Sequence, residues 1–310
     1  MHTTIRTAAV VSTSLAAVVA GALLGAGPAA AVVPTDTVID FTGDAPGTKA
    51  PGFVSVATPD VNFRETGGGP VYVDDFSTLS NGQAIVALFT PTAGLDIRLT
   101  RPTTGIAMAF GNDNPERVNT TSKARLQVFR GQSQVGVVDV NVNANSTMDQ
   151  VIRYADARVF DRAVLTYVTA DGVPVELQEV VDDITVAPRC TRVGGAGNNV
   201  LVGTNGRDVL CGDAGADVIR GGGGADLVYG GPGSDTILAG DDGDWVNGGD
   251  GADNIRGEDG ADILRGFSGR DRISGGTGGD VLVGGTSRDR CDGGSGRDVG
   301  QSCEVRRSIP

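Results

Sequence analysis

The first half of the chain places apolar residues at the spacing of β-strands. Residues 124–129 alternate apolar and polar side chains, and residues 135–142 repeat this alternation after a short turn. Such alternation is typical of strands with one buried face, whereas the apolar runs 84–89 and 105–110 are typical of fully buried strands. Many short strands separated by turns predict an all-β domain over residues 32–189, a β-sandwich.

Two further elements are predicted in this domain. Asp171 and Gly172 stand between the apolar runs 163–168 and 173–177, and a D-G pair in that position predicts a hairpin. Residues 147–154 are the only stretch of the domain that favours a helix.

The pattern changes at Gly194, where twelve nine-residue units begin and continue without an insertion to Gln301. The sixth position is an aspartate in eleven units and Asn199 in the first. These aspartates are Asp208, Asp217, Asp226, Asp235, Asp244, Asp253, Asp262, Asp271, Asp280, Asp289 and Asp298. An aliphatic residue usually follows at the eighth position, from Leu201 to Leu282. This period predicts coils of two units each, stacked so that the aliphatic side chains form one buried column.

The composition of this stretch points to a cation. It holds 33 of the 49 glycines, and glycine permits turns with positive φ that expose carbonyl oxygens. Calcium takes about six to eight oxygens, drawn from carboxylates and carbonyls. We therefore predict Ca²⁺ in the turns, with the eleven aspartates as metal ligands. Aspartates one coil apart would repel each other without a cation, so the stretch is expected to be largely unfolded until calcium binds.

These units resemble the hemolysin-type (RTX) calcium-binding repeat family, whose signature is G-G-x-G-x-D-x-U-x. Residues 221–229 (GGGGADLVY) and 275–283 (GGTGGDVLV) follow that signature closely. The resemblance implies a parallel β-roll over residues 190–303 that folds on binding calcium.

Departures from the signature locate weaker positions. Asn199 replaces the acid of the first unit, so the first coil is expected to bind calcium less well. Asp242 and Ser287 replace the glycine at the fourth position, where Ser287 is expected to break its turn. Gly300 replaces the last aliphatic residue and should end the column. Trp245, at an outward position, is either a surface contact or a filler, and we favour the filler.

The four cysteines limit how the roll can be closed. Cys211 and Cys291 would lie about five coils apart, roughly 24 Å at the spacing of parallel strands. That is beyond the Cα separation of about 7 Å that a disulfide allows. The expected pairs are therefore Cys190–Cys211 and Cys291–Cys303, one at each end of the roll, as suits an exported protein.

The N-terminal segment 1–31 reads as a secretory signal peptide. Arg6 precedes an apolar run, and small residues lead to an expected cleavage site after Ala31. Cleavage would remove His2, the only histidine, which excludes histidine-based catalysis and H-E-x-x-H zinc sites. The net charge of −13 argues against a nucleic-acid partner. A secreted protein without a membrane span and with a short tail, residues 304–310, is predicted.

The β-rich domain also resembles the jelly-roll domains of bacterial exported proteins, including galactose-binding-like modules. The resemblance rests on Asp40-Phe41, on residues 124–129 and on residues 179–186 (EVVDDITV). It implies that Asp182 and Asp183 hold a structural cation, although two acids at the solvent end of a strand are the simpler interpretation.

Three functions remain open from the sequence. The first is a secreted, non-enzymatic calcium-binding protein in which the β-rich domain has a structural or recognition role. The second is an adhesin for a carbohydrate or cell-surface ligand, although the aromatic residues mostly occupy core positions. The third is an extracellular hydrolase that uses two of the available carboxylates. Those carboxylates are Asp74, Asp75, Asp156, Glu176 and Glu179.

Overall fold

The computed structural model describes residues 37–39, 47–50, 53–54, 61–66, 71–75, 83–87, 94–112, 122–142, 150–174 and 179–307. Every regular element in those ranges is a β-strand, so the all-β class is confirmed. An antiparallel domain comes first and a parallel roll follows. Within these ranges, no helix has the length and apolar character that a membrane span requires. The predicted leader, residues 1–31, lies outside them.

The antiparallel domain is built from eleven strands in its described residues. They are β1 (Thr37–Ile39), β2 (Gly47–Lys49), β3 (Phe53–Val54), β4 (Val61–Glu65), β5 (Val71–Asp75), β6 (Gln83–Ala87), β7 (Leu95–Asn112), β8 (Lys123–Arg130), β9 (Ser133–Asn141), β10 (Gln150–Val168) and β11 (Glu179–Val186). Their hydrogen-bonded order is β2-β5-β6-β11-β7-β10-β8-β9, while β1 pairs with β11 and β4 joins β3 to β7. The long strands β7 and β10 therefore connect the two halves of the domain.

The first part of β10 corrects the expectation of a helix over residues 147–154. Gln150 to Tyr154 pair antiparallel with β7, opposite Phe110 to Ile106. Ile152 and Tyr154 are buried whereas Val151 is 45% exposed, so the side chains alternate between two faces. The long-range pairing with β7 decides the conformation of this segment.

The predicted hairpin after β10 is described only in part. Gly172 has a φ of 81°, which suits a turn, and Val168 forms an isolated antiparallel bridge with Pro174. Residues 175–178 lie outside the described ranges.

The alternating pattern of the domain produces one buried core. In β8 the buried side chains include Leu126 and Val128, which alternate with partly exposed neighbours. Phe63, Phe110 and Phe160 come from β4, β7 and β10 and are fully buried in the same cluster. Ring burial on this scale dominates core energetics, and it supports the interpretation of these aromatic residues as core.

The roll contains fourteen described strands in two parallel sheets. The first roll sheet contains β12 (Arg192–Val193), β14 (Val209–Cys211), β16 (Leu227–Pro232), β18 (Trp245–Asp250), β20 (Ile263–Ser268), β22 (Val281–Thr286) and β24 (Val299–Gln301). The second roll sheet contains β13 (Val200–Val202), β15 (Val218–Gly223), β17 (Thr236–Asp241), β19 (Asn254–Asp259), β21 (Arg272–Thr277), β23 (Arg290–Ser295) and β25 (Val305–Arg307). Strand β25 extends the parallel pairing into the segment predicted as a tail.

The register confirms coils of two units. Ile219 lies beside Ile237 and Ile237 beside Ile255, so strands pair 18 residues apart, except that β25 pairs with β23 at a separation of 15 residues. The eighth-position side chains form one buried column between the two sheets. Cys291 stands in this column, and Cys303 lies in the same cluster after Gly300. The column therefore continues past the position where it was expected to end.

Both ends of the roll are closed by disulfides. Cys190 is bonded to Cys211 and Cys291 to Cys303, and these are the two expected pairs. Each bond closes a short loop, of 21 and 12 residues. Such a loop contributes roughly 3 kcal/mol in the chain-entropy model, and it protects an otherwise exposed end of a sheet.

The antiparallel domain packs on the outer face of the first roll sheet. Val159 of β10 lies in a buried cluster with Leu227, Tyr229 and Trp245 of the roll. Trp245 is only 3% exposed, and its ring lies 5.2 Å from that of Tyr229. The interpretation of Trp245 as a filler is therefore wrong, whereas its outward position and the alternative of a surface contact are confirmed, because a second domain covers this face.

Candidate metal-binding turns

The first, second and fourth positions of the units favour glycine for different reasons. At the second and fourth positions the backbone has positive φ, as at Gly222 (112°) and Gly224 (89°). At the first position a side chain would collide with two groups. A Cβ on Gly221 would lie 2.1 Å from the carbonyl oxygen of Ala239 and 2.5 Å from Oδ2 of Asp226. The glycine pattern thus brings turn backbone against the aspartate of the same unit.

Some turns hold the same geometry without glycine. Asp242 and Ser287, at the fourth position, have φ values of 74° and 83°. The turn at Ser287 is therefore not broken, contrary to the expectation from sequence. A non-glycine residue pays for this conformation in backbone strain, so these turns are expected to be less stable than the others.

The eleven predicted aspartates lie in two rows along the edges of the roll. Row one, in the turns from the second roll sheet to the first, contains Asp208, Asp226, Asp244, Asp262, Asp280 and Asp298. Row two, in the turns from the first roll sheet to the second, contains Asp217, Asp235, Asp253, Asp271 and Asp289. All eleven are buried.

One oxygen of each aspartate fixes the stacking of the turns. The backbone N–H of Asp226 donates to Oδ1 of Asp244 at 2.8 Å, and the N–H of Asp244 donates to Oδ1 of Asp262 at 2.8 Å. The same bond joins Asp217 to Asp235 in row two, again at 2.8 Å. Each carboxylate therefore bonds the turn one coil earlier, and carboxylates of like charge are stacked along each row.

The second oxygen is left without a partner. In ten of the eleven aspartates Oδ2 is buried and accepts no hydrogen bond from a described residue. The exception is Asp208, whose Oδ2 accepts from the N–H (2.7 Å) and Oγ1 (2.8 Å) of Thr204. A buried charge without a partner is costly, so a row of them implies a cation that completes the turns.

The environment raises the pKa of most of these carboxyls. Burial, with neighbouring aspartates as a smaller cause, raises the pKa of Asp244 to about 8. Burial likewise raises the pKa of Asp253 and Asp262 to about 7, and that of Asp235 to about 6. Deprotonation at neutral pH is therefore opposed by the folded turns themselves, and a bound cation would reverse that preference.

The donor set fits a hard cation bound partly by the backbone. No three histidine, cysteine or acidic side chains converge on one point in the described part of the chain. A site must then draw on turn carbonyls in addition to carboxylates, which is the mixed oxygen set that calcium prefers.

The first unit shows what happens when the acid is replaced. The side-chain Nδ2 of Asn199 donates to the carbonyl oxygens of Gly195 (3.2 Å) and Gly197. Its amide thus occupies turn carbonyls that could otherwise face a cation. This agrees with the expectation that the first coil binds calcium less well.

Two contacts in these rows were not foreseen from the sequence. Glu304 accepts a hydrogen bond from the N–H of Asp289 through Oε2 and so replaces the missing next aspartate of row two. Its separation of 15 residues falls outside the nine-residue period, which is why the period does not reveal it. Thr204, at the second position of its unit, similarly occupies Oδ2 of Asp208.

A family model for the RTX calcium-binding nonapeptide repeat matches residues 193–228, 229–264 and 265–299. Residues 193–299 are RTX calcium-binding repeats. The family assignment and the β-roll predicted from the resemblance are thus confirmed for this segment. The RTX repeats bind calcium as a family, and the repeat is not in itself an enzyme.

Comparisons of the whole chain add little to this assignment. No curated protein matches it. The catalytic domain of a GH87 alpha-1,3-glucanase in complex with nigerose is similar at 9% identity and a TM-score of 0.24, covering 83% of this chain and 62% of that one. The catalytic unit of a thermostable GH87 alpha-1,3-glucanase from Streptomyces thermodiastaticus is similar at 9% identity and a TM-score of 0.25, covering 85% of this chain and 70% of that one. This chain thus spans less than two thirds of the first of these structures, and such low TM-scores support no conclusion about activity.

Proposed function

We propose that the protein is an exported calcium-binding protein whose RTX roll folds around Ca²⁺, with the antiparallel domain in a non-enzymatic structural or recognition role. The observation that supports this most strongly is the set of ten buried Oδ2 atoms without a hydrogen-bond partner. The eleven aspartates of rows one and two are the proposed ligands, together with turn carbonyls.

Electrostatics gives the reason for folding with calcium. Carboxylates such as Asp226, Asp244 and Asp262 are stacked one coil apart along an edge with almost no exposure to water. Their mutual repulsion and the loss of hydration both oppose the folded roll at neutral pH. A divalent cation between successive turns removes both costs, so its binding energy is also folding energy.

The test is a calcium titration of the full chain. Circular dichroism in EDTA is expected to show loss of the roll's strand signal, and calcium is expected to restore it. Magnesium at the same concentration should restore much less, because it demands octahedral geometry and keeps its waters. An unchanged spectrum in EDTA, together with no calcium binding by calorimetry, would overturn the proposal.

Export is proposed from the predicted leader and the two disulfides. Disulfides persist in oxidising compartments, and both of these bonds close an end of the roll. Sequencing the N-terminus of protein recovered from the culture medium tests this proposal. The expected mature N-terminus follows Ala31, and recovery only from the cytoplasm would contradict export.

The non-enzymatic role of the antiparallel domain is supported by its described side chains. Asp156 is the only one of the five candidate carboxylates whose side chain is described, and it is exposed beside Arg158 at 3.9 Å. Such an exposed ion pair lacks the enclosed geometry that hydrolysis of a glycoside needs. A screen of the calcium-loaded chain against polysaccharides would contradict the role if it released reducing sugar.

A further inference from the structure

The antiparallel domain contains a buried carboxylate that is shared by three arginines. Asp96 on β7 is 1% exposed. Its Oδ2 lies 3.0 Å from Nε of Arg64 and 3.3 Å from Nε of Arg98, and its Oδ1 lies 2.8 Å from Nε of Arg162. Three strands, β4, β7 and β10, therefore converge on a single acid.

The three arginines carry more positive charge than the single carboxylate of Asp96 can neutralise. A carboxylate offers about four lone-pair sites, and the three Nε contacts together with a 3.3 Å contact from Arg98 occupy them. Each guanidinium has about five N–H donors, so most of the donors point elsewhere. No other acceptor among the described residues bonds Arg98 or Arg162. The cluster thus keeps an excess of positive charge in a chain of net charge −13.

A cavity of about 310 Å³ opens beside this cluster. It is lined by Arg98 and Arg162 and also by Arg130, and Asp161 is the only acid among the described residues of its lining. Arg130 is held by Asp161 at 3.1 Å and by Asp213 of the roll at 3.5 Å. The cavity lies at the small end of the range for ligand pockets.

The guanidinium groups at the cavity are held in fixed positions. Arg162 lies over the ring of Phe129, 5.1 Å from its centre, in addition to its bond with Asp96. Arg98 contacts Asp96 through two nitrogens. An arginine that is held this way loses little conformational entropy when it binds a ligand.

We propose that this cavity binds an oxyanion, as a carboxylate or sulfate group of an acidic ligand. Arginine forks match the planar or tetrahedral oxygens of such groups with paired, charge-assisted hydrogen bonds. A purely structural ion pair needs one arginine for Asp96. Three arginines leave an excess of positive charge and of N–H donors, which only an added anion or water can satisfy. The inference goes beyond the proposed function and rests on residues of the antiparallel domain rather than on calcium binding.

The experiment is calorimetric titration of the full chain with sulfate and, separately, with galacturonate, at constant ionic strength in calcium. Binding of either probe with a stoichiometry near one per chain is expected, and the stronger probe identifies the group. Arg98→Gln should weaken the affinity for the bound probe about tenfold, because a charged hydrogen bond is lost. Arg125→Gln is the matched control, since Arg125 pairs with Asp139 at 2.8 Å and is not among the described residues that line the cavity.

The variant Asp96→Asn separates a built site from general attraction. This variant removes one negative charge, so non-specific electrostatic attraction would strengthen binding of the anion. A site built by Asp96 predicts weaker binding, because the arginines lose their common anchor. Spectra and melting curves of each variant show whether it folds. If Asp96→Asn does not fold, Arg98→Gln remains as the test, because it keeps two arginines on Asp96. Absence of heat with both probes, or equal loss in Arg98→Gln and Arg125→Gln, would overturn the proposal.

Discussion

Replacing one row-one aspartate should have opposite effects with and without calcium. Asp244 is fully buried, and burial raises its pKa from 3.8 to about 8. At pH 7 the folded chain must either keep this carboxyl protonated or ionise it at a cost. The interval from its ordinary pKa of 3.8 to pH 7, at about 1.4 kcal/mol per pH unit, corresponds to about 4 kcal/mol of folding free energy. Asp244→Asn removes this cost. In calcium-free buffer the variant should therefore unfold less readily, by up to about 4 kcal/mol.

The new amide has a precedent in the same roll. Asn199 donates its Nδ2 hydrogens to the carbonyl oxygens of Gly195 and Gly197, so Asp244→Asn can use the equivalent carbonyls of its own turn. Calcium then loses both a charged ligand and free carbonyls. The calcium concentration at half-folding should rise, about tenfold for each 1.4 kcal/mol of lost binding energy.

The assay is circular dichroism, which reports the strand signal that remains in EDTA and the calcium concentration at half-folding. Asp241→Asn is the matched control, since it makes the same charge change three residues away on an exposed side chain. The control should change neither stability nor calcium midpoint appreciably. If Asp244→Asn shows no more strand signal in EDTA than the unsubstituted chain, or shifts the calcium midpoint no more than Asp241→Asn does, the argument from burial is refuted.

Three further predictions concern the calcium-free state, the column and the domain contact. Because the folded pKa values of Asp235 (about 6) and Asp244 (about 8) lie above 3.8, the burial cost is absent near pH 4 and grows as the pH rises towards 8. Circular dichroism in EDTA should therefore show more roll at low pH, and a roll that is most ordered at high pH would contradict this. Leu264→Ala in the middle of the fully buried column should cost about 2–5 kcal/mol in calcium, against a negligible change for Ala252→Ser on the exposed turn surface, as measured by urea unfolding. Trp245, the only tryptophan, lies under Val159, so its fluorescence should shift to shorter wavelength when calcium is added, and Val159→Asp should reduce that shift. An unchanged spectrum would show that the tryptophan is not buried by folding of the roll.

The sequence predicted the roll better than the domain before it, and the difference lies in the range of the interactions. The aspartates of the RTX repeats contact the turn 18 residues away, so one period specifies the whole column and both rows. Residues 150–154 contain no such period, and their pairing with β7 decides their conformation. Glu304 and Trp245 were missed or misread for the same reason, because an irregular spacing and a second domain determine their partners.

The pairing of strands 18 residues apart, from β12 to β24, has a consequence for how the chain can change length. Insertion or deletion of two units adds or removes one full coil and leaves every face where it was. Loss of a single unit would exchange the two sheets beyond that point, in the way that a one-residue slip reverses the faces of a strand. The surface presented to Val159 would then come from strands that expose Arg256 and Arg272 instead of Tyr229 and Trp245. Relatives of this chain that keep the domain contact should therefore differ by even numbers of units ahead of that contact.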